Sequence, residues 1–209
     1  MRGRFITFEG VEGAGKSTQI AMLSQFLHSR GVVVHATREP GGSPLAERIR
    51  ELFLAGDAEG VCAETELYLI LAARAQHVGE VIRPALIRGT WVLCDRFQDS
   101  TLAYQGYGRG LDSEMIVRLG ALARGGLVPD LTILLDVDPE TGLTRCHHRL
   151  TLLTRLDQEN LAFHRRVREG FLHLARQEPE RIHLVDASQS PEVIFQQIQA
   201  RLGDVHSRI

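Results

Sequence analysis

The chain lacks most of what would tie it to a membrane, an oxidising compartment or a polyanion. No apolar run approaches the length that spans a bilayer. Its start shows no succession of charged, apolar and small residues like that of a secretory leader. The expectation is therefore a cytoplasmic protein with no membrane partner. Its three cysteines, Cys62, Cys94 and Cys146, are odd in number and show no C-x-x-C spacing, which argues against a disulfide framework and a zinc site. A formal net charge of −2 creates no general basic field, so no nucleic-acid partner is expected. Internal repeats, low-complexity tracts and interdomain linkers are also missing. What is present is 209 residues, 44% of them hydrophobic, which suits one compact domain over 1–209 with a central sheet covered on both faces.

Apolar runs bounded by turn residues recur at 5–8, 32–36, 91–94, 131–137 and 182–185, with helical periodicity between them. Short, nearly continuous runs such as Leu131-Thr132-Ile133-Leu134-Leu135 suit parallel strands buried on both faces. The alternation predicts a doubly wound α/β domain of about five parallel strands, with ligands beyond their carboxyl ends. Leu67, Leu71, Val78 and Ile82 predict a long helix from about 64 to 88 whose apolar face is core. A final helix from Pro191 to about Leu202, with Ser190 as N-cap, completes the pattern.

The segment Gly10-Val11-Glu12-Gly13-Ala14-Gly15-Lys16-Ser17 lies between the first strand and the first helix. Its small residues let successive amides turn inward around an anion. The helix that follows offers unpaired N–H groups and a positive dipole end to the same anion. In that setting Lys16 reaches the β and γ phosphates, Ser17 joins the shell of a magnesium ion, and Thr18 extends the cradle.

Other chemistry clusters at the same predicted rim. Asp95 and Arg96 end the third strand, where a carboxylate can hold magnesium and an arginine fork can grip two phosphate oxygens. Arg38-Glu39-Pro40-Gly41-Gly42 leaves the second strand, although turn chemistry alone explains its Pro and Gly residues. Asp136 ends the fourth strand. Between Arg145 and Arg168 six arginines face two acids, and the first half of this stretch, about 145–158, has the character of a closing lid. Arg149 and Arg155 are its candidates for charge stabilisation, while Arg165, Arg166 and Arg168 read as a solvated helix face. The nine histidines include no pair at metal-ligand spacing and read as surface residues.

Taken in order, the Gly10–Ser17 cradle, Arg38 to Gly42, Ala73-Arg74, and Asp95-Arg96-Phe97 running into Ser100-Thr101-Leu102-Ala103-Tyr104-Gln105-Gly106 resemble bacterial thymidylate kinases over nearly the whole chain. The resemblance implies a P-loop NTPase fold: a doubly wound sheet, helices on both faces and an arginine-bearing lid. It also implies transfer of the ATP γ-phosphoryl group to thymidine monophosphate (dTMP), with Mg2+, usually in a homodimer. Carried over by position, the cradle amides with Lys16, Ser17 and Thr18 bind ATP, and Glu12 faces the acceptor's 3′-hydroxyl. Arg96 spans the two phosphates, and Asp95 works with the metal. Arg38 and Arg50 lie near the acceptor phosphate, with Glu39 and Pro40 beside them. Arg74, Thr101 and Gln105 read the thymine edge, and Tyr104 packs where a ribose 2′-hydroxyl would stand.

Two positions depart from the family pattern. The phenylalanine that commonly stacks on the base, four residues before the thymine-reading arginine, is here Ile70, which keeps apolar contact without aromatic stacking. In the lid, Thr154-Arg155-Leu156-Asp157 replaces the common Asp-Arg-acid order, so the residues leave Arg149 and Arg155 both open. The alternatives are a kinase for another nucleotide or nucleoside and a regulatory nucleotide-binding ATPase. A second nucleotide pocket, built from the Arg38 loop, Arg74 and Tyr104, argues against a switch.

Overall fold

The computed structural model describes residues 2–54, 61–147, 156 and 158–206. Five strands, β1 (Phe5–Glu9), β2 (Val34–Arg38), β3 (Trp91–Asp95), β4 (Leu131–Asp136) and β5 (Ile182–Asp186), form one parallel sheet in the order β2-β3-β1-β4-β5. The central strands β1, β3 and β4 carry the uninterrupted apolar runs because both of their faces are covered. Phe5, Val92 and Cys94 pack with Val78, Ile82 and Leu86, whereas Ile6, Phe8 and Leu93 join Leu23 and Leu27 in the larger core. Alternate residues of one strand thus serve opposite layers.

Helices α1 (Lys16–His28), α2 (Pro44–Leu54), α3 (Ala63–His77), α4 (Arg83–Ile87), α5 (Gln98–Thr101), α6 (Ser113–Ala123), α7 (Pro139–His147), α8 (Leu161–Gln177) and α9 (Pro191–His206) surround the sheet. Asn160 starts α8 by accepting the Phe163 N–H at 2.9 Å, and Phe163, Val167, Phe171 and Leu174 then bury one face. No helix among the described residues is long and apolar enough to cross a membrane.

Most strand ends differ by one residue from those read in the sequence, the last helix runs on to His206, and two differences are larger. The second strand begins at Val34 rather than 32, because Val33 is largely exposed at the sheet edge and Arg38 still pairs in register with Asp95. The helix expected over 64–88 is three pieces, since Val78–Ile82 winds as a π-helix between α3 and α4. A second π segment, Leu102–Gly108, continues α5. Periodicity alone does not distinguish such a widened turn from an ordinary one, and widened turns concentrate at functional sites. This one carries Tyr104 and Gln105.

Candidate active site

The phosphate loop leaves β1 and enters α1 through Gly15, whose left-handed backbone (φ 93°) caps the helix without any side-chain bond to its first amides. Those amides are left for a ligand. Lys16 is buried and donates from Nζ to the Gly10 and Val11 carbonyls at 3.1 and 3.0 Å, while Ser17 and Thr18 are exposed. Burial and the nearby Arg96 charge depress the Lys16 ammonium pKa, against the opposing pull of Asp95, Glu12 and Glu9. Backbone presses on backbone behind the loop. A Cβ on Gly13 would lie 2.0 Å from the Gly142 carbonyl oxygen of α7, and one on Gly142 would lie 2.3 Å from the Glu12 carbonyl oxygen.

Arg96 links this loop to the next layer. It takes the left-handed conformation (φ 69°), unusual for a residue with a side chain. Its N–H bonds the Phe8 carbonyl at 2.9 Å, and the next N–H, of Phe97, bonds Glu9 Oε1 at 2.8 Å. Its guanidinium donates from Nη1 to the Gly10 carbonyl (3.0 Å) and Ser100 Oγ (3.1 Å) and from Nη2 to Glu12 Oε1 (3.0 Å), and it lies 4.8 Å over the Tyr104 ring. The Tyr104 hydroxyl donates to the same Glu12 oxygen at 2.6 Å. Burial would raise the Glu12 carboxyl, but Arg96, His164, Lys16 and Tyr104 together hold it down at about 2. Glu9 goes the other way: burial, then the Asp99 charge, push it up to about 8, while Ser100 donates to its Oε2 at 2.5 Å.

Beside Arg96 opens a narrow cleft. Of the residues expected at the acceptor, Glu39, Pro40, Ile70, Arg74, Arg96, Thr101, Tyr104 and Gln105 all line it. Arg74 is sealed from water, donating from Nε to Glu39 (2.7 Å), from Nη1 to Gln98 Oε1 (2.8 Å) and from Nη2 to Thr101 Oγ1 (2.9 Å). Two of its five N–H groups are thereby left over. Glu39 also bonds His77 Nδ1 (3.1 Å), whose Nε2 meets Thr37 Oγ1 (2.8 Å). Buried Glu66 accepts from Gln105 Nε2 at 3.4 Å, leaving Gln105 Oε1 without a partner.

Glu12, Arg38 and Arg50 stand outside that lining. Arg38 pairs with Glu47 at 2.9 Å, and Arg50 donates to the Pro40 carbonyl at 2.9 Å. Burial, with Arg38 and then Arg96 among the contributing charges, depresses the Arg50 pKa. Lys16 feels the same repulsion from Arg96. The mutual repulsion of these cations is the field an anion relieves.

Asp95 Oδ1 is buried and accepts no hydrogen bond. With the Ser17 hydroxyl it offers hard oxygen donors on the loop's rim. Among the described residues no group of three or more His, Cys, Asp or Glu is placed to hold a metal. Few protein oxygens supplemented by phosphate is the donor set that suits Mg2+, and the residues fit it.

Several sequence expectations need correction. Of the arginines read as a solvated face, Arg165 and Arg166 are exposed, Arg165 in a pair with Glu140, and Arg168 is half-buried. Arg168 grips Asp136 through two bonds of 2.7 and 2.8 Å, and Arg166 bonds the Gly108 carbonyl at 2.9 Å. The histidines are not all at the surface: His77 and His164 are buried. Helical phase held the clue for His164, which falls next to Phe163 and three residues before Val167 on the core side of α8. Phe53 of α2 also lines the cleft, and the sequence reading did not single it out. Arg149 and Arg155 lie outside the described residues.

Comparison with known proteins agrees with this geometry. The sequence pattern of the family described as thymidylate kinase matches residues 8–198. A thymidylate kinase of Magnetococcus marinus is 56% identical over 93% of this chain and 92% of its own. One of Thermomicrobium roseum is 55% identical over 98% and 96%. The crystal structure of thymidylate kinase from Ehrlichia chaffeensis superposes with a TM-score of 0.78 at 34% identity, covering 97% of this chain and 99% of that one.

Proposed function

The chain belongs to the thymidylate kinase family and is an ATP-dependent nucleoside monophosphate kinase for dTMP; we propose that the loop and cleft described above carry out the transfer. The observation that carries this reading is Arg96, whose one guanidinium touches the phosphate loop at Gly10 and Glu12 and the cleft at Ser100. A side chain so placed lies between donor and acceptor phosphates.

In this reading the cradle amides of Gly10 to Gly15, with Lys16, Ser17 and Thr18, bind the triphosphate of ATP. Arg74, Thr101 and Gln105 read the thymine edge against the apolar walls of Ile70 and Pro40. Glu39 holds Arg74 in place, Glu12 takes the sugar's 3′-hydroxyl, and Tyr104 fills the space a 2′-hydroxyl would need. Arg38 and Arg50 draw the acceptor phosphate. An oxygen of that phosphate bonds to the γ-phosphorus as the bond to the ADP oxygen breaks, in line and with no covalent enzyme intermediate. Lys16 and Arg96 balance the charge on the transferring group. Ser17 and Asp95 would hold Mg2+, which when bound neutralises phosphate charge.

We further propose a single domain over 1–209, a lid at about 145–158 whose Arg149 or Arg155 completes the charge balance, a homodimer in solution and a cytoplasmic setting. Coupled ADP release across a panel of monophosphates tests the reading. Thymidine monophosphate should exceed uridine, cytidine and guanosine monophosphates in kcat/KM, and equal rates would overturn it. Sedimentation tests the dimer.

A further inference from the structure

His164 stands against Glu12 and enters none of the hydrogen bonds described above. The residue is 1% exposed. Its Nδ1 lies 3.3 Å from Glu12 Oε2, close enough to help hold that carboxyl down, yet Nδ1, Nε2 and Glu12 Oε2 are all buried without a well-formed hydrogen bond. A buried polar atom left unpaired costs about 1–3 kcal/mol. Two of them meeting in one contact, with Nε2 unpaired across the ring, therefore call for an explanation, and an apolar residue would be the ordinary occupant of so sealed a position.

The surroundings leave little freedom. Glu12 Oε1 is already committed to Arg96 and Tyr104, so Oε2 is the oxygen with capacity to spare. The imidazole borders that oxygen and limits rotation of the carboxylate, whose terminal torsion is otherwise soft. The ring itself is held because α8 packs along the Leu102–Gly108 segment, with Phe163 and Phe171 edge-on to Tyr104 at centroid distances of 6.1 and 6.2 Å.

We infer that His164 is a positioning residue that, by standing against Oε2, holds the Glu12 carboxylate in the orientation that meets the acceptor sugar's 3′-hydroxyl, so that selection for this hydroxyl belongs to the Glu12–His164 pair. The inference rests on the reading of Glu12 given under the proposed function. It names a specificity determinant on α8, a helix to which the sequence pattern gave no part in recognition.

The test compares kcat/KM for thymidine monophosphate and 3′-deoxythymidine monophosphate in the wild type, His164→Phe and His164→Asn. Phe keeps a ring and removes both nitrogens, while Asn supplies an amide near the Nδ1 position. The wild type should prefer the hydroxylated substrate. His164→Phe should erase about tenfold of that preference through KM, and His164→Asn should restore part of it. Equal losses on both substrates, or an unaltered preference, would show a packing role and overturn the inference. A wild type indifferent to the hydroxyl would overturn the Glu12 assignment and this inference together. If His164→Phe does not fold, the ratio measured in His164→Asn decides.

Discussion

Arg74 Nε and Glu39 Oε2 meet at 2.7 Å, with their side chains 1% and 2% exposed. Sequence neighbours of Glu39 form a turn, but its carboxylate is turned inward to clamp the guanidinium that lines the cleft. Removing one member of a sealed pair strands the other's charge, at about 3–5 kcal/mol. Glu39→Leu should therefore unfold at a lower temperature by an amount matching that loss. Glu39→Gln, which keeps an acceptor, should lose less and raise KM for thymidine monophosphate about tenfold. Denaturation and steady-state kinetics on the two variants check this.

Lys16 invites a cleaner separation of chemistry from folding. Its contacts are to two carbonyls of its own loop, so Lys16→Met preserves the buried stem while deleting the charge. Turnover should fall about 100-fold or more, with far less change in thermal stability. Equal losses in both would refute its catalytic role.

Arg96 carries an observable strain. A left-handed residue with a Cβ costs about 1–2 kcal/mol that glycine avoids. Arg96→Gly should be more stable than Arg96→Ala by about 1 kcal/mol, although both lose turnover about 1000-fold. Chemical denaturation of the two variants side by side reads the difference.

The Glu9 carboxyl, at about 8 in the folded chain against 4.5 when exposed, gives stability a pH slope. Between those values the folded chain keeps a proton that the unfolded chain has released, so this group's contribution is full below the lower value and is lost as pH rises through the upper. Glu9→Gln, neutral at all pH, removes the slope. Its unfolding temperature should gain on the wild type from about pH 5 to about pH 8. A constant offset across that range would contradict the assignment.

Phe53 bears on the absent stacking ring. It lines the cleft from α2, as Ile70 does from α3, so an aromatic group is supplied from another helix. Phe53→Leu should raise KM for thymidine monophosphate by about 3- to 10-fold, the worth of an aromatic contact, leaving kcat nearly unaltered. Competition between thymidine and deoxyuridine monophosphates then measures how far the methyl group depends on this pair.

Local chemistry explains what was legible in the sequence. The parallel sheet and the Gly10–Ser17 turn follow from continuous apolar runs and small residues, signals contained within a few positions. Lys16, Arg74, Arg96 and Tyr104 could be located because each belongs to a motif. His77, Glu66 and the Arg168–Asp136 clamp could not, and helical phase marks His164 as buried without revealing Glu12 beside it, because their meaning depends on partners that only the folded chain brings near. Arg168 lies 32 positions from Asp136, and its neighbours Arg165 and Arg166 make it resemble a solvated stripe. The widened turn at Leu102–Gly108 leaves no compositional mark at all.

The contact between Gly13 and Gly142 makes α7 a lever whose short arm rests on the nucleotide's seat. With no side chain as cushion, the backbone of that helix meets the backbone of the cradle directly, and the spacing between them has no rotamer through which to adjust. A single methyl group at either glycine would lie 2.0 or 2.3 Å from a carbonyl oxygen, so helix and cradle can sit this close only while both positions stay bare.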